Sequence, residues 1–519
     1  MKTRDVLLLL TICVQTLSSG FGQTLEIRDY ITMPMTGSAS ATGNLAQLTR
    51  INSVLEEPGG KRFFVNDLNG PLYIIDKASK TPVVYLNLNG RGSQPGLFHR
   101  FTYETGYANG FVSFRFDPDY LANGKFYTVH LEEPSVAASA LPENRSFPGF
   151  DVSAYTTTAA IRTPGDIQRE AVLVEWTDSN PANATFEGTA RELMRVEFNM
   201  RIHPMGDIVF NPSARPGEPD WRILYVACGD GGAGEQTTAM RSNPQRLDTM
   251  VGKILRIVPD LNEHIGSSVV SQNGRYRIPN DNPFVNTTGA RKEIWAYGFR
   301  NPHRLTWDSD HLIAASVGLH TWESIYLVHK GGNYGYSLRE GNEVLKSDNT
   351  TTTLPADDRI PVQVTDTVTA GTVIPRYPAA EYGHVKNGGD AISGGFVYRG
   401  SALPILSGKY VFGDITTGRI WYADLADLLA ADDAGKPGRL ATLHELLVRW
   451  NGETYTTMFP IVESVYHSRG GKNPRLPGTA TVSTGGRADI RFAVDAAGEL
   501  YILSKSDGVI RAVVGATAN

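Results

Sequence analysis

Residues Arg62–Asp76 read RFFVNDLNGPLYIID. Apolar residues flank an Asn-Gly step on both sides, which spells strand, tight turn, strand. The plan recurs along the chain. Phe114–His130 (FRFDPDYLANGKFYTVH) repeats it around Asp-Pro and Asn-Gly turns. Asp207–Gly232 opens with DIVFNP and closes with ILYVACGDGG, and Leu305–Ala315 (LTWDSDHLIAA) is a shorter version. Gly395–Leu425 holds GFVYRG, LSGKYVFGD and GRIWYADL. Arg491–Ser504 (RFAVDAAGELYILS) leads into SDGVIRAVV. These are six units at irregular spacing, a divergent repeat with long insertions. Antiparallel units of about four strands set radially make a β-propeller, in which each sheet buries both faces against its neighbours. Separate β-sandwiches are the alternative. No Pro/Ser-rich linker or charge run divides the chain, so one all-β, six-bladed propeller with long inter-strand loops is the expected fold. Helical pattern is confined to short turns at Ala426–Ala430 and Glu187–Arg195.

Composition agrees. The chain holds 53 glycines and 29 prolines among 519 residues, above the average of about 7% for glycine, as many tight turns require. The formal net charge is −5, from 49 basic and 54 acidic residues. With no basic excess to neutralise phosphates, a nucleic-acid binder is not expected. Lys2 and Arg4 precede an apolar run from Val6 to Val14, and small residues follow at Ser18, Ser19, Gly20 and Gly22. That pattern predicts a signal peptide over residues 1–22, with an apolar stretch too short to span a bilayer; a short N-terminal anchor is the other reading. The expected division is 23–43 as an N-terminal extension, 44–513 as the propeller and 514–519 as a tail. The protein is then exported, to a periplasm or the extracellular space, with no membrane span. Beyond the leader the one cysteine is Cys228, so no intramolecular disulfide is available and the core must carry stability.

Four clusters could carry chemistry. Arg201–Asp207 (RIHPMGD) places His203 just before a strand, where it reads either as a general base or as a loop hydrogen bonder. Gly229–Gly234 (GDGGAG) lacks the Lys-Ser/Thr of a phosphate loop and reads as a structural turn. Trp295–Arg304 sets Arg300 beside Asn301 before a proline: donors on a fixed backbone that suit a carboxylate-rich planar ligand, or equally a surface pair and an Asn turn. Val317–Glu323 is a Gly-containing loop whose carbonyls could hold a hard cation, or an ordinary loop closed by the Gly-Gly turn of Lys330–Tyr336. HExxH, GxSxG and Cys/His clusters are absent, so those hydrolase and zinc classes lack their motifs.

Taken in order, LYVACGDGG, QRLDTMVGKILRI (Gln245–Ile257), YRIPNDNPFV (Tyr276–Val285), IWAYGFRNP (Ile294–Pro302), KGGNYGY and GFVYRG resemble the glucose/sorbosone dehydrogenase family. That family includes the soluble quinoprotein sugar dehydrogenases, and the propeller of Hedgehog-interacting proteins is similar. The resemblance runs from about Asn44 to Val513. It implies a six-bladed propeller that oxidises a sugar with pyrroloquinoline quinone (PQQ) and calcium. His203 matches the catalytic base; Arg300 and Asn301 match the pair that contacts the quinone; Arg487 is placed for a further contact; Gly318 and Leu319 fall where two carbonyls hold the calcium. With no haem-attachment CxxCH, electrons must leave to a separate acceptor. The pattern is departed from at Ile202, where the family carries an acidic residue, at Ala108, where it carries glutamine, and at Asp414–Gly418 (DITTG), which lacks the expected lysine. Fewer cations weaken the hold on a polycarboxylate. The alternative function is a carbohydrate- or protein-binding propeller without redox chemistry.

Overall fold

The computed structural model describes residues 22–102, 109–385, 388–480, 482 and 485–518. The leader expected at 1–22, save its last residue, and the departure at Ala108 lie outside them.

The hairpins read from the turns are present. Arg62–Asp67 pairs antiparallel with Pro71–Asp76, Arg62 opposite Asp76. Together with Ile51–Glu56 and Pro82–Asn87 they form a four-stranded sheet in chain order. Further antiparallel sheets follow in the same up-and-down order. Phe111–Phe116, Lys125–Glu132, Arg169–Asp178 and Gly188–Phe198 form one; Met205–Phe210, Leu224–Cys228, Lys253–Ile257 and Ile294–Tyr297 another. Asn301–Asp308, His311–Val317, Trp322–Leu327 and Ala380–Gly383 come next, then Ile392–Val397, Lys409–Asp414, Ile420–Asp424 and His444–Trp450.

The ends of the described chain meet. Gln23–Thr32 pairs antiparallel with Val509–Ala518, which continues through Leu500–Ser504 to Ile490–Val494. It also runs parallel to His444–Trp450. Residues 23–43, read as an extension, thus begin with a strand of the sheet, and the closing strand runs past Val513 to Ala518. Pairing both termini into one sheet removes exposed edges.

The innermost strands touch in a closed cycle. Ile51–Glu56 meets Phe111–Phe116, which meets Met205–Phe210, then Asn301–Asp308, Ile392–Val397 and Ile490–Val494, which returns to Ile51–Glu56. Apolar clusters fill the gaps between neighbouring sheets. One joins Val129, Leu131 and Leu173 to Ile208, Val226 and Leu255; another joins Phe63, Val65 and Ile75 to Leu503 and Ile510. Both faces of each sheet are therefore covered, and the fold is all-β and propeller-like.

Helix appears where one short turn was expected, at Leu425–Ala434, and again at Phe459–Ser468. The other expected helical turn, Glu187–Arg195, is corrected: it lies in the strand Gly188–Phe198, which pairs along its length with Arg169–Asp178. Leu193, Met194, Val196 and Phe198 are buried there, so ladder bonds and packing override the helix propensity of Glu, Ala, Leu and Met.

Candidate functional site

The inner strands begin around one end of the ring axis. Pro204 leads into Met205, Arg300 into Asn301, Ala391 into Ile392 and Asp489 into Ile490. A cavity of about 310 Å³ opens there. His203, Arg300, Asn301, Gly318, Leu319 and Arg487 all line it. Residues 284 positions apart from first to last share one cavity because strand starts converge on the axis.

His203 sits in the left-handed backbone region, φ 48°, which histidine tolerates better than bulkier or branched residues. Its Nδ1 lies 2.7 Å from Asp230 Oδ1 and 3.7 Å from Glu235 Oε1. The carboxylate can only accept, so Nδ1 is the donor to Asp230 and Nε2 is the ring nitrogen left for other partners. Asp230 is fully buried and held by the Gly-rich turn: Gly232 N–H donates to Oδ1 and Gly234 N–H to Oδ2, each at 2.9 Å. The turn wraps the histidine closely. Gly231 N–H donates to the His203 carbonyl at 3.0 Å, and a Cβ on Gly229 would lie 2.4 Å from that oxygen. The GDGGAG stretch is therefore more than the structural turn it reads as: it carries the orienting partner of His203.

Cys228 precedes this turn, fully buried, and burial pushes its thiol up to about 12. A thiol that stays protonated and enclosed does not react. Iodoacetamide at pH 8 is expected to leave native Cys228 unmodified and to alkylate it fully in denaturant; mass spectrometry reads the difference. Rapid alkylation of folded protein would show that the strand beneath the turn opens.

Arg300 donates to the carbonyl of Gly318 and pairs with Glu235. Burial opposes its charge, but Glu235, Tyr336 and Asp230 outweigh burial and raise its pKa. Its Nε has no partner among the described residues. The Gly318 loop is folded round two carboxylates that the sequence did not single out. Glu340 Oε1 accepts the N–H groups of Leu319, His320, Thr321 and Trp322 at 2.7–3.2 Å. Glu323 Oε1 accepts from Gly318 N–H at 3.0 Å and lies 2.7 Å from His384 Nε2. Gly318 itself is obligatory, since a Cβ would stand 1.7 Å from the Trp322 carbonyl oxygen. A cation at the Gly318 carbonyl competes with the Arg300 guanidinium for one oxygen. Among the described residues no group of three or more His, Cys, Asp or Glu side chains is placed to hold a metal.

The departures are visible on the walls. Ile202 presents an apolar side chain beside His203, and Ile415 lines the cavity where the lysine was expected. A lysine arrives from elsewhere: Lys505, in the turn between Leu500–Ser504 and Val509–Ala518, lines the cavity together with Arg491, Asp489 and His303. Burial, then the neighbouring Arg304, Arg491, Lys505 and His203, push His303 well below the usual imidazole range, so it is neutral. Arg487, Arg491, Lys505 and Arg300 make the cavity cationic, against Asp390 and Asp489. Such a donor set fits a planar polycarboxylate.

The family described as Glucose / Sorbosone dehydrogenase matches the chain over residues 57–437. The HIPL1 protein of Arabidopsis thaliana is 26% identical over 391 residues, 72% of this chain and 52% of its own. Human Hedgehog-interacting protein is 25% identical over 361 residues, 69% of this chain and 39% of its own. The chain thus spans about half the length, or less, of these relatives. Among solved structures, the soluble aldose sugar dehydrogenase of Escherichia coli in its apo-form is 16% identical, with a TM-score of 0.52 over 96% of this chain and 100% of that one; at that identity the likeness is one of fold. Among the described residues no helix is long and apolar enough to cross a membrane.

Proposed function

Because the chain belongs to the glucose/sorbosone dehydrogenase family, we propose that it is an exported, six-bladed propeller that oxidises a sugar hydroxyl with pyrroloquinoline quinone. Four strands per blade, with the last blade closed by Gln23–Thr32, support the blade number. The observation that carries the activity is the pairing of His203 with the buried Asp230 at a cationic cavity. His203 Nε2 accepts the proton of the sugar hydroxyl; Asp230 holds the tautomer and steadies the imidazolium. Arg300, Asn301 and Arg487 would hold the quinone. The unpartnered buried donors Arg300 Nε and Arg491 Nε fit a ligand rich in acceptors. When bound, the quinone supplies the two-electron acceptor. Gly318 and Leu319 would give two backbone carbonyls to a calcium ion, the first in exchange for its bond from Arg300. Electrons then pass to a separate acceptor.

The test is a titration of purified apo-protein with the quinone, with and without calcium, followed by absorbance and by dye reduction with a panel of aldoses. Saturable binding with sugar-dependent reduction is the expected result. A second reading, a carbohydrate- or protein-binding propeller without redox chemistry, is favoured by the apolar Ile202 beside His203 and by the similarity to Hedgehog-interacting protein. Saturable quinone binding without reduction marks a lost activity. No quinone binding leaves the second reading standing.

A further inference from the structure

We infer that Lys505 and Arg491, with His303 beside them, form a carboxylate-binding subsite in the wall of the cavity, taking an acidic group of the quinone in place of the lysine absent from Asp414–Gly418. The inference rests on the proposed function for the identity of the ligand; the chemistry of the subsite stands on charge and geometry.

Lys505 and Arg491 are 4% exposed and His303 8%. The carboxylate that faces the two cations is Asp489, and it is shared thinly. Its Oδ1 is 3.7 Å from Lys505 Nζ and 3.6 Å from Arg491 Nη1, ion-pair distances too long for hydrogen bonds. Asp489 also sits in the fields of Arg487 and Arg50, and Arg304 adds its charge to Lys505 and Arg491. Two other carboxylates stand nearby. Asp414 is saturated by the N–H groups of Asp390, Ala391, Thr416 and Thr417, and Asp390 accepts from the Thr416 hydroxyl. Arg50 and Arg304 also face carboxylates of their own, Asp67 and Asp207. Lys505 and Arg491, buried around Asp489 in the field of Arg487, are costly to hold together unless a further anion joins them. Burial, with Arg491, Arg50 and Arg304 close by, holds the Lys505 amine well below its usual range, and burial with Arg304 and Arg487 brings Arg491 down to about 9 against the pull of Asp489.

Arg491 Nε, a donor, has no partner among the described residues, and Lys505 Nζ brings further N–H groups; His303 Nε2 is also unpartnered, as donor or acceptor according to the ring's tautomer. A carboxylate supplies two oxygens and one negative charge to this set. Both residues are legible only in three dimensions: Arg491 is the second residue of an inner strand, and Lys505 follows the apolar strand LYILS.

The experiment compares wild type with Lys505→Met, Lys505→Arg and Arg491→Met. Two probes are titrated: pyrroloquinoline quinone, and benzene-1,2,4-tricarboxylate as a planar, redox-inert polycarboxylate. Affinity is read by absorbance or calorimetry, and apo-protein melting by calorimetry. Each methionine variant is expected to bind roughly 10- to 100-fold more weakly, Lys505→Arg to recover most of the loss, and apo Lys505→Met to melt at or above wild type because crowding of cations is relieved. If wild type binds the tricarboxylate and not the quinone, and the variants lose it, the subsite stands and the quinone reading falls. If the variants bind the quinone as tightly as wild type, the subsite falls and the quinone reading stands. Wild type binding neither probe overturns the subsite. So does a Lys505→Met apo-protein that melts well below wild type or fails to fold, because the lysine is then a structural partner of Asp489.

Discussion

Replacing His203 with glutamine is expected to cut sugar-dependent dye reduction by about 10²–10⁴-fold while quinone affinity stays within about 3-fold of wild type, less than 1 kcal/mol. The split follows from where the ring stands. Nδ1 is committed to Asp230 at 2.7 Å, so the ring nitrogen left for chemistry is Nε2. Glutamine can keep a hydrogen bond to Asp230 but offers no base of comparable strength. In the proposed arrangement the quinone's acidic groups would be held elsewhere, by Arg300, Arg487, Arg491 and Lys505, so its affinity would have little reason to change. Steady-state rates over an aldose panel, set beside an absorbance titration of the same variant, separate the two quantities. A loss of quinone affinity that matches the loss of rate would place His203 among the ligand-holding groups and end its assignment as base. Arg300→Ala gives the contrasting pattern, with quinone binding weaker by about 1.5–3 kcal/mol.

The sheets were legible because their turns are chemically loud. Asn-Gly and Asp-Pro steps between alternating apolar residues identify hairpins at Arg62–Asp76 and Phe114–His130 without tertiary information. The closing strand was not, because QTLEIRDYIT comes soon after the apolar run Val6–Val14 and its partner lies almost 500 residues away, at Val509–Ala518. Glu187–Arg195 misled for a related reason: its local composition suits a helix, and a long-range ladder decides otherwise. In the site, His203, Arg300, Asn301, Gly318 and Leu319 stood out by motif and do share one cavity. Asp230 was hidden inside a glycine-rich turn whose glycines are there for its sake, presenting N–H groups to its carboxylate. Glu323 and Glu340 were hidden because carboxylates on a strand read as surface. The signal that could have found them is an acidic residue inside a run of apolar or small neighbours, as in ACGDGG and TWESIYL.

The second large effect belongs to that turn. Asp230→Asn is expected to lower turnover about 10- to 100-fold at nearly unchanged KM. The carboxylate accepts three hydrogen bonds: from His203 Nδ1, and from the N–H groups of Gly232 and Gly234. An asparagine has one carbonyl oxygen and an NH₂. With the oxygen toward His203, the NH₂ meets the Gly234 N–H donor. With the NH₂ toward His203, the ring must take the other tautomer and loses the lone pair at Nε2. Either way a buried donor is stranded, at about 1–3 kcal/mol of stability, and only the first orientation keeps the His203 proton on Nδ1. Chemical denaturation measures the first cost and steady-state kinetics the second. The decisive comparison is the double variant. If Asp230 acts through His203, Asp230→Asn added to His203→Gln costs almost nothing further in rate, because the group it orients is already gone. Multiplicative losses in the double variant would instead mean that the turn contributes to turnover independently of the histidine.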